Sequence, residues 1–218
     1  MCACLAQPSA LEYRQICPDD TSGLAGLTAG QDFRLAPKIN LKIQYNIKSY
    51  LVNIIKNNYN IVMREYIVNQ IHGILIKNKK TVAVAESCTG GLLSNLLTQI
   101  SGSSQYFILG VVAYSNKAKV NILRIPAHLI AKKGAVSKGI AQKMAQSIRK
   151  LAQTDFGIGI TGIAGPTGAT PKKPIGTVFI AINSRNKNIC KRYHFKGNRF
   201  AIRKKAALKS LELLRAII

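Results

Sequence analysis

The chain has 218 residues, 47% of them hydrophobic, which is enough for one domain of ordinary size plus an appendage and excludes global disorder. A formal net charge of +24 invites a nucleic-acid reading, but residues 1–62 hold 6 basic and 4 acidic side chains (net +2) and residues 63–218 hold 26 and 4 (net +22), spread along the chain and not gathered in one arm. With aromatics at 6% and no strand alternating aromatic and basic residues, base stacking is not expected; the charge is read as mostly background, which would still help to attract a phosphorylated substrate.

No run of about 18 uncharged apolar residues occurs, so no membrane span is expected. Cys2, Cys4, Cys17, Cys88 and Cys190 are scattered without a CxxC pair, and His72, His128 and His194 stand far apart. That pattern argues for a reducing, cytoplasmic compartment and against a zinc site, and no cofactor is expected.

Residues 1–37 contain no Lys and no Asn, whereas 38–62 are rich in both. The early segment lacks the basic and apolar regions of a secretory signal, and its Pro and Gly residues break it into turns. Residues 1–62 are therefore expected to form a poorly ordered extension, with a marginal helix around Tyr50 to Ile55. Met63 stands as a candidate original start, and residues 63–218 as the domain proper.

From there the pattern is regular. Tyr66, Ile67, Ile71, Ile74 and Leu75 mark the apolar face of a helix. TVAVA (81–85) reads as a strand, followed by Glu86-Ser87-Cys88-Thr89-Gly90-Gly91 and a helix from Gly91 to about Ile100. FILGVVA (107–113) reads as a buried strand. Ser115 is placed to cap a helix over 115–123, Pro126 to start another that ends at Gly134, and Ser137 to cap a longer one with core face Ile140, Met144, Ile148 and Leu151. FGIGI (156–160), TVFIAI (177–182) and 189–195 are further strands, the last two a hairpin. A final helix from about Arg199 offers Ile202, Ala206, Leu211 and Leu214 to the core. Helices alternating with strands predict an α/β fold, a three-layer α/β/α domain with a mixed sheet.

Four polar segments follow strands or introduce helices: 86–91, Tyr114 to Lys119, Gly162 to Lys173, and Gly197-Asn198-Arg199. In such a sheet these loops collect at one edge. With Ser, Lys and Tyr present and no His/Asp set, a hydrolase here would use Ser with a Lys base. Ser87 or Thr89 reads equally well as a helix N-cap, the Gly162–Gly168 loop as a phosphate cradle or a tight turn, and periodicity does not choose between Lys117 and Lys119. The N–H groups of Gly90 and Gly91 are candidate donors to an oxyanion.

AESCTGG, GSSQYF, VVAYSNKAK, GAVS, GITGIAGPTG and KPIGTV, in this order, resemble the C-terminal domain of the CinA (competence/damage-inducible protein A) family over roughly Met63 to Ile218. The molybdopterin-binding-like domain of full-length members has no counterpart in residues 1–62. Standalone members are nicotinamide-nucleotide amidohydrolases, so the resemblance implies deamidation of nicotinamide mononucleotide, the small-molecule partner, to nicotinate mononucleotide and ammonia. It implies Ser87 as nucleophile, Lys119 as general base and Tyr114 as helper hydroxyl. It makes Thr89, Gly90, Gly91, Asn116, Gly162, Gly165 and Arg199 candidate substrate-binding residues, with Arg199 gripping phosphate or carboxamide. A homo-oligomer is expected, and neither nucleic acid nor membrane as partner. Where many members carry Glu before the KP of ATPKKP, this chain has Lys172, and a looser loop or altered preference is expected.

Overall fold

A computed structural model describes residue 62 and residues 64–218; the expected extension over 1–62 and its helix around Tyr50 to Ile55 lie, but for Val62, outside them. The first helix, α1 (64–77), buries Ile67, Val68, Ile71 and Leu75. Tyr66, expected inside, is exposed: one residue before Ile67 turns a helix by about 100° away from the apolar stripe, whereas Val68 turns toward it.

The sheet has five strands, β1 (Val82–Glu86), β2 (Phe107–Val112), β3 (Phe156–Gly162), β4 (Thr177–Asn183) and β5 (Asn188–His194), in the order β2-β1-β3-β4-β5. β1 runs parallel to β2 and β3, and β4 runs antiparallel to β3 and β5. The mixed sheet and its hairpin match the expectation. Between the strands lie α2 (Leu92–Leu97), α3 (Asn116–Asn121), α4 (Ala127–Lys133) and α5 (Lys138–Ala152), and α6 (Arg199–Arg215) closes the chain.

Two faces of the sheet follow from side chains that alternate along each strand. Val82 and Val84 of β1 join Ile158 and Ile160 of β3 and Val178, Ile180 and Ile182 of β4 in a core with α1, α2 and α6. Ala83 and Ala85 face the other way, toward Ile140, Met144 and Ile148 of α5. The small residues on that side let α5 lie close: a Cβ at Gly157 or Gly159 would stand only 2.2 Å from the Ala145 carbonyl or 2.4 Å from that of Ala141. Helices thus cover both faces, the three-layer arrangement.

Two expectations fail in detail. FILGVVA forms an edge strand paired only with β1, and its burial alternates, with Ile108 and Val112 exposed; an apolar run alone does not distinguish a central strand from an edge. On α5, Leu151 is exposed and Ala141 and Ala145 are buried instead, because the helix meets the sheet through its small residues.

The connection from β1 to β2 carries α2 on one face, and that from β2 to β3 carries α3 to α5 over the other. The chain therefore reverses direction at β1, and the crevice beyond the strand ends opens there.

Candidate active site

Ser87 follows β1 directly, Tyr114 and Lys119 follow β2, Thr161 and Gly162 end β3, and Arg199 starts α6. These residues, with Asn116, surround one pocket of about 200 Å³. Thr89, Gly90, Gly91 and Gly165 do not line it; they shape the turns beside it.

The turn after β1 is built by a residue that the sequence reading passed over. Glu86 is fully buried, and its carboxylate accepts from Gly91 N–H at 3.0 Å, Leu93 N–H at 3.2 Å, Ser94 N–H at 2.8 Å and Ser94 Oγ at 2.7 Å. A negative group on free N–H donors at a helix N-terminus is favourable. Here it comes from the strand, so neither Ser87 nor Thr89 serves as the cap, and α2 has no side-chain cap from Gly91. Gly90 and Gly91 take φ of 60° and 95°, the left-handed region that glycine enters without a Cβ penalty. From α6, Arg203 donates to the Thr89 carbonyl through Nε at 3.2 Å and Nη2 at 2.9 Å. The turn is thus held from two sides by opposite charges.

This arrangement corrects the expected oxyanion donors. The Gly91 N–H is spent on Glu86, and the Gly90 N–H donates to the Ser87 carbonyl at 3.2 Å. Among the described residues, the N–H groups of Cys88 and Thr89 have no backbone acceptor. Thr89 Oγ1 is likewise buried with no partner among them.

Ser87 is itself buried, and its Oγ lies 3.0 Å from Lys119 Nζ. Ser115 caps α3 by accepting from Ala118 N–H at 3.0 Å, and the short helix turns Lys119 inward. Lys119 is only 1% exposed, whereas Lys117 faces solvent. Lys119 Nζ also donates to the carbonyls of Ala113 at 2.8 Å and Tyr114 at 3.1 Å. Burial holds the Lys119 ammonium below its ordinary pKa, since an apolar surround disfavours the charged form. The neighbouring Cys88 is buried too, and burial pushes its thiol up to about 12. It is a poor nucleophile in that state.

At the rim, Arg199 donates from Nη1 to the Gly165 carbonyl at 2.7 Å and from Nη2 to Tyr114 Oη at 2.8 Å. Thr161 Oγ1 donates to the Ala135 carbonyl at 2.9 Å, joining the end of β3 to the segment before α5. The loop at ATPKKP closes on itself, with Thr170 and Lys173 exchanging two backbone hydrogen bonds at 3.0 Å each.

A family model described as the CinA C-terminal domain matches residues 64–218. A CinA-like protein of Thermotoga neapolitana is 49% identical over 142 residues, 65% of this chain and 35% of that relative. A CinA-like protein of Syntrophus aciditrophicus is 44% identical over 152 residues, 69% of this chain and 36% of that relative. The chain thus aligns with about a third of the length of these relatives. Among solved structures, a competence/damage inducible protein from Agrobacterium tumefaciens superposes with TM-score 0.69 at 34% identity, over 71% of this chain and 95% of that one. The competence damage-inducible protein A of Klebsiella pneumoniae superposes with TM-score 0.68 at 34% identity and the same coverage.

Proposed function

The chain belongs to the CinA C-terminal domain family, and from that premise we propose that it is an amidohydrolase, deamidating nicotinamide mononucleotide to nicotinate mononucleotide and ammonia through an acyl-enzyme on Ser87. The observation that carries this reading is the 3.0 Å separation of Ser87 Oγ and Lys119 Nζ in a buried setting. A neutral amine has two N–H groups and one lone pair. With the carbonyls of Ala113 and Tyr114 taking the two N–H groups, the lone pair is left for the Ser87 hydroxyl.

Ser87 Oγ attacks the carboxamide carbon as its proton passes to Lys119, forming a tetrahedral oxyanion. The N–H groups of Cys88 and Thr89 are the donors at hand for that charge. Lys119 returns the proton to the nitrogen, the C–N bond breaks, and ammonia leaves an ester on Ser87. Water then attacks the ester with Lys119 as base, and Ser87 leaves with its proton restored. One water is consumed and no cofactor takes part.

The pocket, about 200 Å³, accommodates the nicotinamide ring and leaves ribose and phosphate at the mouth, where Arg199 supplies positive charge. Tyr114 Oη accepts from Arg199, so its own O–H is free to hydrogen-bond the departing nitrogen while Lys119 delivers the proton. Among the described residues no helix is long and apolar enough to cross a membrane, and a cytoplasmic role in pyridine-nucleotide salvage follows from the reading. Ammonia release from nicotinamide mononucleotide by the purified protein tests it. Salt-sensitive DNA binding without ammonia release would favour a non-enzymatic, nucleic-acid-binding domain.

A further inference from the structure

At the opposite end of the sheet from Ser87, the starts of β1 and β3 and the β4–β5 turn enclose a second cleft of about 390 Å³. β3 runs from Phe156 in this cleft to Gly162 in the active-site pocket, a separation of roughly 20 Å at 3.3 Å per residue. The catalytic scheme makes no use of it.

Its lining is basic. Lys80, Arg149, Arg185 and Lys187 stand against one acid, Asp155. That acid is already committed: it accepts from Thr81 N–H at 2.9 Å, Thr81 Oγ1 at 3.1 Å and Lys80 Nζ at 3.1 Å. Those bonds hold its carboxyl below the usual carboxylate range against the opposing effect of burial. Asp155 therefore neutralises Lys80 and leaves the other three cations unbalanced.

Arg149 is half-buried on the last turn of α5, and its Nε donates to Oδ1 of the buried Asn183 at 2.6 Å. A neutral amide orients the guanidinium without cancelling its charge. Among the described residues the Nη groups have no protein acceptor, and no carboxylate pairs with Arg149. Arg185 and Lys187 come from a turn whose ends are tied, Ser184 N–H to the Lys187 carbonyl at 2.8 Å and Lys187 N–H to Ser184 Oγ at 3.2 Å. The apolar floor of the cleft is the half-buried Ile217 and the edge of Phe156, which is 8% exposed.

We infer that this cleft binds a nucleoside phosphate, with Arg149, Arg185 and Lys187 on the phosphates and the base over Phe156 and Ile217. A pre-oriented, uncompensated guanidinium matches a phosphate fork-on-fork, and the cleft has the size of small-ligand pockets. A site this far from Ser87 is independent of the amidase reading and stands or falls separately.

Calorimetric titration of the full chain with ADP and with inorganic pyrophosphate tests the inference. One ADP per chain is expected, bound more tightly than pyrophosphate because the base adds apolar contact. Affinity should fall at least about tenfold in Arg149→Met and in the exposed double variant Arg185→Ala/Lys187→Ala, and stay unchanged in Arg199→Ala. Absence of saturable binding overturns the site, as does loss of binding in Arg199→Ala with retention in the other two. Displacement of ADP by duplex DNA at equal phosphate concentration would also overturn it, since the cleft would then be part of a nonspecific polyanion surface.

Discussion

The Glu86 carboxylate at the end of β1 holds the N–H of Gly91 at the start of α2, 3.0 Å away. With its bonds to Leu93 and Ser94, this contact makes Glu86 a positioning residue for Ser87, its neighbour in the chain. Glu86→Gln keeps the size but turns one acceptor oxygen into an N–H₂ that faces other donors. The expected loss is about 2–3 kcal/mol of stability, read from urea unfolding. Turnover should show a lower kcat with little change in KM, since the substrate pocket is intact and only the nucleophile is displaced. Wild-type stability and wild-type kcat together would refute the role.

The pH profile should carry the signature of Lys119. With its neutral form as the proposed base, kcat/KM should rise with pH to a limb whose midpoint lies below the ordinary lysine value of 10.5. The same shift bears on folding. With the native pKa lowered, the unfolded chain binds this proton more readily, so the native state gains stability as pH rises toward 10.5. Compared with Lys119→Met, the wild-type melting temperature should therefore improve as pH rises toward 10.5. A relative decline over that range would contradict a depressed Lys119.

Much of the fold was legible because its signals are local. Ser115, Ser137 and Gly134 fall at the helix ends expected of them, and Ile202, Ala206, Leu211 and Leu214 are buried as their spacing implies. What misled was tertiary. Val112 and Ile108 look like core until β2 proves to be an edge, and Leu151 looks like core until the sheet approaches the alanines of α5. Within the site, only the family resemblance at VVAYSNKAK singled out Lys119, and its burial beside Ser87 accounts physically for the distinction from Lys117. The role of Glu86 was not readable, because an acid after an apolar strand is usually a solvated end. One signal was present: Gly91 is not a residue that caps a helix with its own side chain, so α2 needed an acceptor from elsewhere.

Residues 1–62 are expected to be dispensable. The family match begins at residue 64, and the change in composition precedes it. A chain starting at Met63 has the size to bury a sufficient core. It should melt cooperatively within a few degrees of the full chain and keep its activity. Aggregation, or loss of most turnover, would place part of 1–62 within the working domain.

Turnover is expected to survive EDTA. The roles assigned to Ser87, Lys119 and Tyr114 need no metal, and among the described residues no three His, Cys, Asp or Glu side chains converge to hold one. Loss of activity on chelation with recovery on adding a divalent ion would replace the Ser–Lys scheme.

The central claim is that Ser87 and Lys119 act as one unit on the carboxamide of nicotinamide mononucleotide. Its most direct test is ammonia release from that substrate by wild type, Ser87→Ala, Lys119→Ala and the double variant, with Cys88→Ala and Lys117→Ala alongside. Each single dyad variant is expected to lose about three or more orders of magnitude in kcat, and the double variant little more, because members of a unit are not additive. Cys88→Ala and Lys117→Ala should remain active. Substantial turnover in Ser87→Ala, or a dead Cys88→Ala beside it, would contradict the account.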